Sequence, residues 1–307
     1  MAAADLQNPI FHDDAKAREA LEAIRWPAGP VCPHCGAREK IGAVQGKSHR
    51  PGLFYCGSCK GQFTVTVGTV FERSKVPLSK WWLAAHLLGA SKKGMSSHQL
   101  ARMLGVTYKT AWFVSHRIRE AMRDLNPGPL GGDNKVVEVD ETYVGGKARN
   151  RKGRVPPKEA VVALVEREGL VRTMHVANVT SKTLRPIIVG QVSRASYLMT
   201  DESTVYPRIG AEFAGHGTVN HSIEEYVRAS FWHTNTAENY FSILKRGITG
   251  VYHHVSEAHL HRYCAEFDFR YNARKISDAE RCALAMKGAE GKRLTYRRPD
   301  GEGVPAA

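Results

Sequence analysis

Three acidic residues occur where the surrounding sequence looks buried or helical, and such carboxylates could hold divalent metal ions. Asp140 interrupts the apolar run VVEVDETYV, and Asp201 ends the apolar run YLMTD. A carboxylate inside an apolar strand is costly to bury unless it is paired or bound to a metal ion. Glu238 and Lys245 stand two helical turns apart in the segment NTAENYFSILK, which predicts that both lie on one face of a helix.

The elements that would carry these acids follow two periodicities. Strands are predicted for residues 136–144, 160–165, 171–179, 195–200 and 218–221. Helices are predicted for residues 181–192, 204–213, 235–246 and 256–275. Three consecutive strands indicate an antiparallel meander and the later alternation indicates parallel additions. The expected fold is therefore α/β, with a mixed sheet flanked by helices.

On this layout the acids match a ribonuclease-H-like (RNase H-like) site, because Asp140 lies on the first strand, Asp201 on the fourth and Glu238 on a late helix. Two Mg²⁺ or Mn²⁺ ions about 3.5–4 Å apart would activate the attacking oxygen and stabilise the leaving oxygen in phosphoryl transfer. Two aspartates and one glutamate supply the oxygen ligands that hard cations prefer. Lys245 would then approach a DNA phosphate near the cut.

Each acid also has a purely structural interpretation. Asp140 could pair with a neighbouring arginine, and Glu138 or Glu141 could be the important acid instead. Asp201 could cap the helix that follows it. Glu238 could belong to a capping box with the asparagine three residues before it. The sequence favours the catalytic interpretation because the three acids occur together in the order and spacing of one site.

Four cysteines form two CxxC pairs, Cys32 with Cys35 and Cys56 with Cys59. Four thiolates at this spacing can close a tetrahedral site for structural Zn²⁺, which stabilises a segment too short for its own core. A redox dithiol is the alternative, but it needs one pair on a βαβ unit, which the sequence lacks here. A strand over residues 62–70 could complete a zinc ribbon. That ribbon could contact DNA or serve packing alone.

The segment SHQLARMLGVTYKTAWFVSH, residues 97–116, has the layout of a helix-turn-helix with Gly105 at the turn. Its second helix would present polar side chains to a DNA major groove: Thr107, Lys109, Thr110 and His116. Arg117 and Arg119 would lie near phosphates. A helical hairpin that only packs is the alternative, and the basic composition of the chain favours DNA binding.

The charge balance points to a polyanionic partner. The 307 residues include 44 Lys and Arg against 30 Asp and Glu, which leaves a net charge of +14. Nucleic acid is the commonest partner for such a surplus, and an anionic membrane surface is the alternative. A basic run after the Asp140 strand could grip phosphates or form a solvated loop: Lys147, Arg149, Arg151, Lys152, Arg154 and Lys158.

Shifts in composition divide the chain into consecutive segments. They are an N-terminal helix (1–30), the zinc ribbon (31–75), a helical helix-turn-helix DNA-binding domain (76–125), a linker (126–135), the RNase H-like domain (136–280) and a basic tail (281–307). No apolar run approaches the ~20 residues that span a bilayer, and the N-terminus lacks the pattern of a secretory signal. We therefore expect a soluble, cytoplasmic protein without a membrane partner.

Several stretches together resemble the DDE transposases of bacterial insertion sequences, in the group with an N-terminal zinc ribbon (the ISXO-type transposases). In the C-terminal two-thirds the matching stretches are VEVDETYVGGK, LMTDES, HTNTAENYFSILKRGITGVYHHVS and HLHRYCAEFDFRYNARK. Nearer the N-terminus they are RWPAGPVCPHCG and YCGSCKGQFTVTVGTVFERSKVPLSKWW. The resemblance covers about residues 10–280, and the motifs occur in the family's order.

The resemblance implies that Asp140, Asp201 and Glu238 bind the catalytic metal ions and that Lys245 is the basic residue of the glutamate–lysine signature. It also implies binding to terminal inverted repeats, nicking that exposes a 3′-hydroxyl, and attack of that hydroxyl on target DNA. Transposition usually needs a synapse of at least two protomers, so we expect a homo-oligomer on double-stranded DNA. Two other functions stay open, a catalytically silent DNA-binding regulator and an RNase H-like nuclease or resolvase.

Overall fold

The computed structural model describes residues 6–46, 48–145, 158–219 and 233–295. Its helices are α1 (Asp14–Arg25), α2 (Leu78–Ala90), α3 (Ser97–Leu104), α4 (Tyr108–Met122), α5 (Ser181–Gln191), α6 (Pro207–Gly210), α7 (Asn235–Gly247), α8 (Glu257–Asn272) and α9 (Asp278–Lys287). Its strands are β1 (Ile41–Ala43), β2 (Phe54–Cys56), β3 (Gln62–Phe63), β4 (Val136–Val144), β5 (Glu159–Glu166), β6 (Val171–Val176), β7 (Tyr197–Asp201) and β8 (Gly215–Val219). None of the helices in these described residues has the length and hydropathy needed to cross a membrane.

The chain divides into two units, and the first contains both ends of the sequence. Met1–Ser91, Ser96–Arg123 and Ile276–Ala307 form the first unit. Lys92–Met95 and Asp124–Lys275 form the second. The cysteine pairs and α1–α4 therefore belong to one unit, and the three acids of the sequence analysis belong to the other.

The first unit begins with α1 and a three-stranded antiparallel sheet in the order β1–β2–β3. Asp13 caps α1, because its carboxylate accepts a hydrogen bond of 2.7 Å from the backbone N–H of Ala15. The rings of Trp26, Phe54 and Phe63 pack on one another, with centroids 5.6 to 5.8 Å apart. These three rings form a small aromatic core beside the cysteine pairs.

Helices α3 and α4 lie where the sequence predicts the two helices of a helix-turn-helix, with Gly105 between them. Gly105 ends α3 in the left-handed region, at φ +59°, where a side chain would be strained. The backbone N–H of Val106 donates to the carbonyl of Ala101 at 3.1 Å, which closes the end of α3. Thr107 caps α4, since its hydroxyl accepts a hydrogen bond of 3.3 Å from the N–H of Thr110. Both sides of the turn are thus fixed by local hydrogen bonds.

Residues 281–295 pack in the first unit, where the sequence predicted a solvated basic tail over residues 281–307, and the rest of that tail lies outside the described residues. Helix α9 begins at a capping box formed by Ser277 and packs on α2 and α4. Its Cys282 side chain is buried. Beyond α9, the buried ammonium of Lys292 donates a hydrogen bond of 2.9 Å to the carbonyl of Ala121 near the C-terminus of α4. The apolar positions of α9 explain why this stretch is ordered.

The second unit is built on a five-stranded mixed sheet in the order β6–β5–β4–β7–β8. Strands β6, β5 and β4 are antiparallel neighbours, whereas β4, β7 and β8 run parallel. This arrangement of an antiparallel meander with two parallel additions confirms the predicted RNase H-like mixed sheet. The predicted order of elements, three strands followed by helix, strand, helix, strand and two helices, is also found.

The two faces of this sheet are covered by different helices because successive side chains of a strand alternate between faces. Val137 and Val139 of β4 pack in a core with residues of α5 and α6. On the opposite face, Val161 and Ala163 of β5 pack in a core with residues of α7 and α8. The even-numbered residues of β4 therefore project toward the face of the sheet that α7 covers.

Three short elements differ from their predicted bounds. The strand predicted for residues 62–70 is confined to Gln62–Phe63, because the chain then turns and Val67 N–H bonds the carbonyl of Thr64. Helix α6 is shorter than the predicted 204–213, and β8 begins three residues before the predicted start. Periodicity over four or five residues is too short to fix the ends of such elements.

Candidate functional site

Asp140 and Asp201 lie side by side because of the parallel register of β4 and β7. The last residues paired between these strands are Glu138 and Met199, and each aspartate stands two residues further along its own strand. The carboxylates of Asp140, Glu141 and Asp201 each offer an oxygen, and these oxygens lie within 4.8 Å of one another. The strand pairing thus brings together two of the three acids predicted from the sequence.

Helix α7 supplies the third acid and the lysine. A cleft of about 310 Å³ is lined by residues of β4 and α7: Asp140, Glu141, Thr142, Glu238, Phe241, Ser242 and Lys245. Glu238 and Lys245 are exposed and share one face of α7, as their spacing predicts. Asp201 is outside the lining of this cleft, although its carboxylate is adjacent to that of Asp140.

The acidic cluster shifts the protonation of Asp140. Burial, together with the charges of Glu141, Asp201 and Glu238, raises the pKa of this carboxyl to about 7. A hydrogen bond of 2.8 Å from the N–H of Glu141 acts in the opposite direction. A divalent cation at this position would relieve the mutual repulsion of the carboxylates. The donor set consists of carboxylate oxygens, which fits Mg²⁺ or Mn²⁺.

Glu141 belongs to the same cluster, whereas the sequence had offered it only as a replacement for Asp140. Burial raises the pKa of the Glu141 carboxyl. The hydroxyl of Tyr206, a fully buried residue, donates a hydrogen bond to this carboxylate. Adjacent residues of a strand usually point to opposite faces, so alternation alone would have separated Glu141 from Asp140.

Glu138, the other acid that the sequence left open, points elsewhere. It is fully buried and accepts hydrogen bonds from Thr236 and Ala237 at the start of α7 and from Arg167. No sequence signal distinguishes its role from that of Asp140, because both are acids on the same face of one strand.

The structural alternatives for the three acids receive little support from the local geometry. Among the described residues Asp140 forms no ion pair with an arginine. Asp201 accepts a hydrogen bond of 3.1 Å from the N–H of Ser203, but the N-cap of the next helix is Tyr206. The N-cap of α7 is Thr234, so Glu238 is not positioned for the predicted capping box.

The four cysteines of the two CxxC pairs meet in the first unit: Cys32, Cys35, Cys56 and Cys59. Their sulfur atoms lie within 4.8 Å of one another, with 3.6 Å between Cys32 and Cys59 and 3.7 Å between Cys35 and Cys56. Zinc–sulfur bonds of about 2.3 Å in a tetrahedron put sulfur atoms about 3.8 Å apart, which agrees with these separations. Backbone N–H groups of Cys59 and Ser58 lower the pKa of the Cys56 thiol to about 6, whereas burial and hydrogen bonds with the other cysteines raise the pKa of the Cys35 thiol to about 12.

The start of α4 is accessible for contact with another molecule. Thr107 and Lys109 are exposed and Thr110 is half-buried. Tyr108 is also exposed, and its ring stacks on that of His98 with centroids 4.3 Å apart. The predicted DNA-contacting residues at the start of this helix are therefore accessible, and Tyr108 is an aromatic residue that the sequence analysis did not single out.

Three residues predicted to face DNA from the same helix are instead buried, namely His116, Arg117 and Arg119. The guanidinium of Arg117 donates hydrogen bonds to the carbonyls of Leu294 and Glu72, at 3.0 and 3.3 Å. Arg119 donates to the hydroxyl of Ser115 at 3.0 Å. The prediction was wrong because the C-terminal segment packs over this part of α4, which the local pattern of α4 does not reveal.

The basic run is mostly outside the described residues. Lys147, Arg149, Arg151, Lys152 and Arg154 fall in the range 146–157, so their predicted DNA contacts stay predictions. Lys158, the last residue of the run, is exposed directly before β5.

Comparison with known proteins gives matches over both units. A family model for the ISXO2-like transposase domain matches residues 129–272, and a model for the transposase zinc-ribbon domain matches residues 12–62. An uncharacterised protein in transposable element ISH50 of Halobacterium salinarum is 30% identical over 279 residues, which cover 85% of this chain and 91% of that relative. The zinc-ribbon match contains the first CxxC pair and the second, and the transposase-domain match contains the acidic cluster.

Proposed function

Since the chain belongs to the ISXO2-like transposases, which are insertion-sequence proteins with an N-terminal zinc ribbon, we propose that it binds the terminal inverted repeats of its element. The proposed reaction is metal-dependent cleavage of a DNA strand followed by strand transfer. The observation that carries this proposal is the convergence of Asp140 and Asp201 at neighbouring strands, with Glu238 and Lys245 lining a cleft together with Asp140. A cation bound among acidic groups this close together would offset their mutual repulsion.

In this mechanism the carboxylates of Asp140, Asp201 and Glu238 would hold two divalent ions. The ions, when bound, supply activation of the attacking oxygen and stabilisation of the leaving oxygen. The carboxyl of Asp140 is protonated in part near neutral pH, and it would have to lose that proton to hold an ion. Lys245, exposed at the cleft, places its positive charge beside a phosphate of the bound strand. The first reaction would expose a 3′-hydroxyl, and the second would join it to target DNA.

DNA binding is assigned to the first unit in this proposal. The exposed start of α4, with Thr107, Lys109 and the half-buried Thr110, is suited to enter a major groove. The cysteine cluster would hold one structural Zn²⁺ that keeps the ribbon folded. The net charge of +14 supports a polyanionic partner.

We also propose that the protein acts as a homo-oligomer on double-stranded DNA. Two element ends must be held together before they are joined to a target, and each end requires an active site. Such a reaction on chromosomal DNA would take place in the cytoplasm, at the nucleoid.

A DNA-binding regulator without catalysis is less well supported, because such a protein gains nothing from carboxylates clustered beside the partly buried Asp140. A nuclease or resolvase of the same fold would use the same carboxylates. The products of the reaction, rather than metal dependence, separate that function from transposition.

The test is Mg²⁺- or Mn²⁺-dependent cleavage and joining on DNA that carries the terminal repeats of the element. Wild type is compared with Asp201→Ala and with Asp133→Ala, a matched control at an exposed aspartate of the same unit. Joined products from wild type and the control, and none from Asp201→Ala, are expected. Cleavage without joining would favour a nuclease, and tight binding without either product would favour a regulator. Activity in Asp201→Ala equal to wild type would contradict the site assignment.

A further inference from the structure

Glu138 lies two residues before Asp140 on β4, on the strand face that α7 covers. Its side chain is fully buried, yet it does not contribute to the metal-binding cluster formed by its neighbours. A buried carboxylate is retained only where its oxygens are well hydrogen-bonded. The partners of Glu138 therefore indicate what the residue does.

One oxygen of Glu138 accepts hydrogen bonds from two backbone N–H groups at the start of α7. The N–H of Thr236 donates at 2.8 Å and the N–H of Ala237 at 3.0 Å. These groups have no partner within the helix, because the first N–H groups of any helix lack carbonyls before them. The N-cap residue Thr234 makes no side-chain capping bond. The carboxylate from β4 thus caps a helix that does not cap itself.

The second oxygen of Glu138 extends the attachment to the residues before α7. It accepts hydrogen bonds from the Thr236 hydroxyl at 2.9 Å and from Nε of Arg167 at 2.7 Å. The same guanidinium donates to the backbone carbonyl of His233 at 2.8 Å. The backbone N–H of Arg167 donates to the carbonyl of Val136 at 3.0 Å. Arg167 and Glu138 together connect β4 to the chain that enters α7.

We propose that Glu138 is a positioning residue that sets Glu238 relative to Asp140. Glu238 follows Ala237 directly, so the capped backbone and the metal-binding acid are neighbours in the first turn of α7. Asp140 stands on the same rigid strand as the cap. The inference rests on the proposed function, because it concerns the distance across a two-ion site. Each oxygen of Glu138 already accepts two hydrogen bonds, so it is poorly placed to bind a metal ion as well.

The test measures Mn²⁺ binding by electron paramagnetic resonance in Glu138→Gln, without DNA and without turnover. Glutamine keeps the size of the side chain, but its amide nitrogen cannot accept from the donors at that position. Loss of groups that orient metal ligands typically weakens metal affinity about 10–100-fold, and we expect a change in this range. Glu266→Gln is the matched control, since Glu266 is a fully buried glutamate of the same unit that pairs with Arg270. We expect its Mn²⁺ affinity to stay within about twofold of wild type, well short of that range.

Circular dichroism establishes that each variant is folded. If Glu138→Gln does not fold, Thr236→Val replaces it, because this change removes a single donor to Glu138 and should weaken Mn²⁺ binding by a smaller factor. Equal Mn²⁺ affinity in the folded variant and wild type would overturn the inference and leave the proposed function intact. An equal loss in Glu138→Gln and Glu266→Gln would overturn it as well, because any buried carboxylate would then have the same effect. A wild-type protein that binds no Mn²⁺ and cuts no DNA would overturn the proposed function and this inference together.

Discussion

The phenol of Tyr206 and the carboxylate of Glu141 form a hydrogen bond at the edge of the acidic cluster. Tyr206 is fully buried beside α6, and burial raises the pKa of its hydroxyl, so it remains a donor at all ordinary pH values. The bond fixes Glu141 next to Asp140 and Asp201. It therefore connects the core on the α5 and α6 face of the sheet with the site.

Removing this hydroxyl should destabilise the protein without changing its fold. In Tyr206→Phe the partly buried carboxylate of Glu141 loses a hydrogen-bond donor. This loss should lower the unfolding free energy by about 1–2 kcal/mol. Urea denaturation measures the change. Tyr143→Phe is the control, because Tyr143 lies on β4, the strand that carries Glu141, and is 52% exposed. A Tyr206→Phe protein as stable as the control would show that the bond contributes nothing.

The protonation of Asp140 predicts a pH-dependent gain in stability for Asp140→Asn in the absence of Mg²⁺ and Mn²⁺. Burial raises the folded-state pKa of Asp140 from 3.8 to about 7, so the folded protein disfavours the charged form. The resulting penalty is absent below about pH 3.8, grows as pH rises toward 7, and is constant above that value. Asparagine removes the charge, so Asp140→Asn should be more stable than wild type by up to about 4 kcal/mol at pH 8.

Thermal melting of the zinc-loaded protein at pH 5 and pH 8, without added Mg²⁺ or Mn²⁺, measures this difference, with Asp133→Asn as an exposed control in the same unit. The gain of Asp140→Asn should be larger at pH 8 than at pH 5. A gain that is equal at both pH values would show that the carboxyl of Asp140 titrates normally. Added Mn²⁺ should reverse the order of stability, because only wild type has the full set of ligands.

Zinc binding should depend on the four clustered cysteines and not on the isolated ones. We expect about one zinc ion per chain by elemental analysis, and its loss in Cys35→Ser, because three thiolates no longer close a tetrahedral site. Cys282→Ala is the control, since Cys282 is buried and burial raises the pKa of its thiol to about 12. Equal zinc content in Cys35→Ser and Cys282→Ala would argue against a zinc site at these cysteines.

The parts of the site that were predictable from the sequence are those fixed by local pattern or by strand order. Asp140 and Asp201 each end or interrupt an apolar strand, and the parallel pairing of β4 and β7 follows from the order of elements. The four cysteines form two close pairs in sequence, so only one long-range contact is needed to complete their cluster.

The parts that were not predictable depend on contacts between distant segments. Glu138, Asp140 and Glu141 are acids in one strand, and only the position of α7 and of Tyr206 gives each a different role. Arg117 looks like a surface arginine in the pattern of α4, and it is buried because the chain near Leu294 packs against it. Periodicity within a helix cannot report such a contact.

This difference between exposed and buried basic residues of α4 leads to opposite expectations for two variants. Arg117→Met leaves the carbonyls of Leu294 and Glu72 without their charged donor, so the unfolding free energy should fall by about 1.5–3 kcal/mol. Lys109 is exposed, and Lys109→Ala should leave stability within about 0.5 kcal/mol of wild type. If Lys109 contacts a phosphate, its loss should reduce the slope of log affinity against log salt by about 1.

Urea denaturation and salt-dependent binding to terminal-repeat DNA, carried out on both variants, separate the two roles. Folded Arg117→Met should bind DNA with the salt slope of wild type, because a guanidinium bonded to two backbone carbonyls does not displace counterions from DNA. A reduced slope in Arg117→Met with unchanged stability would mean that Arg117 leaves its buried position to reach a phosphate. An unchanged slope in Lys109→Ala would remove Lys109 from the DNA interface, and the accessible start of α4 would then need another explanation.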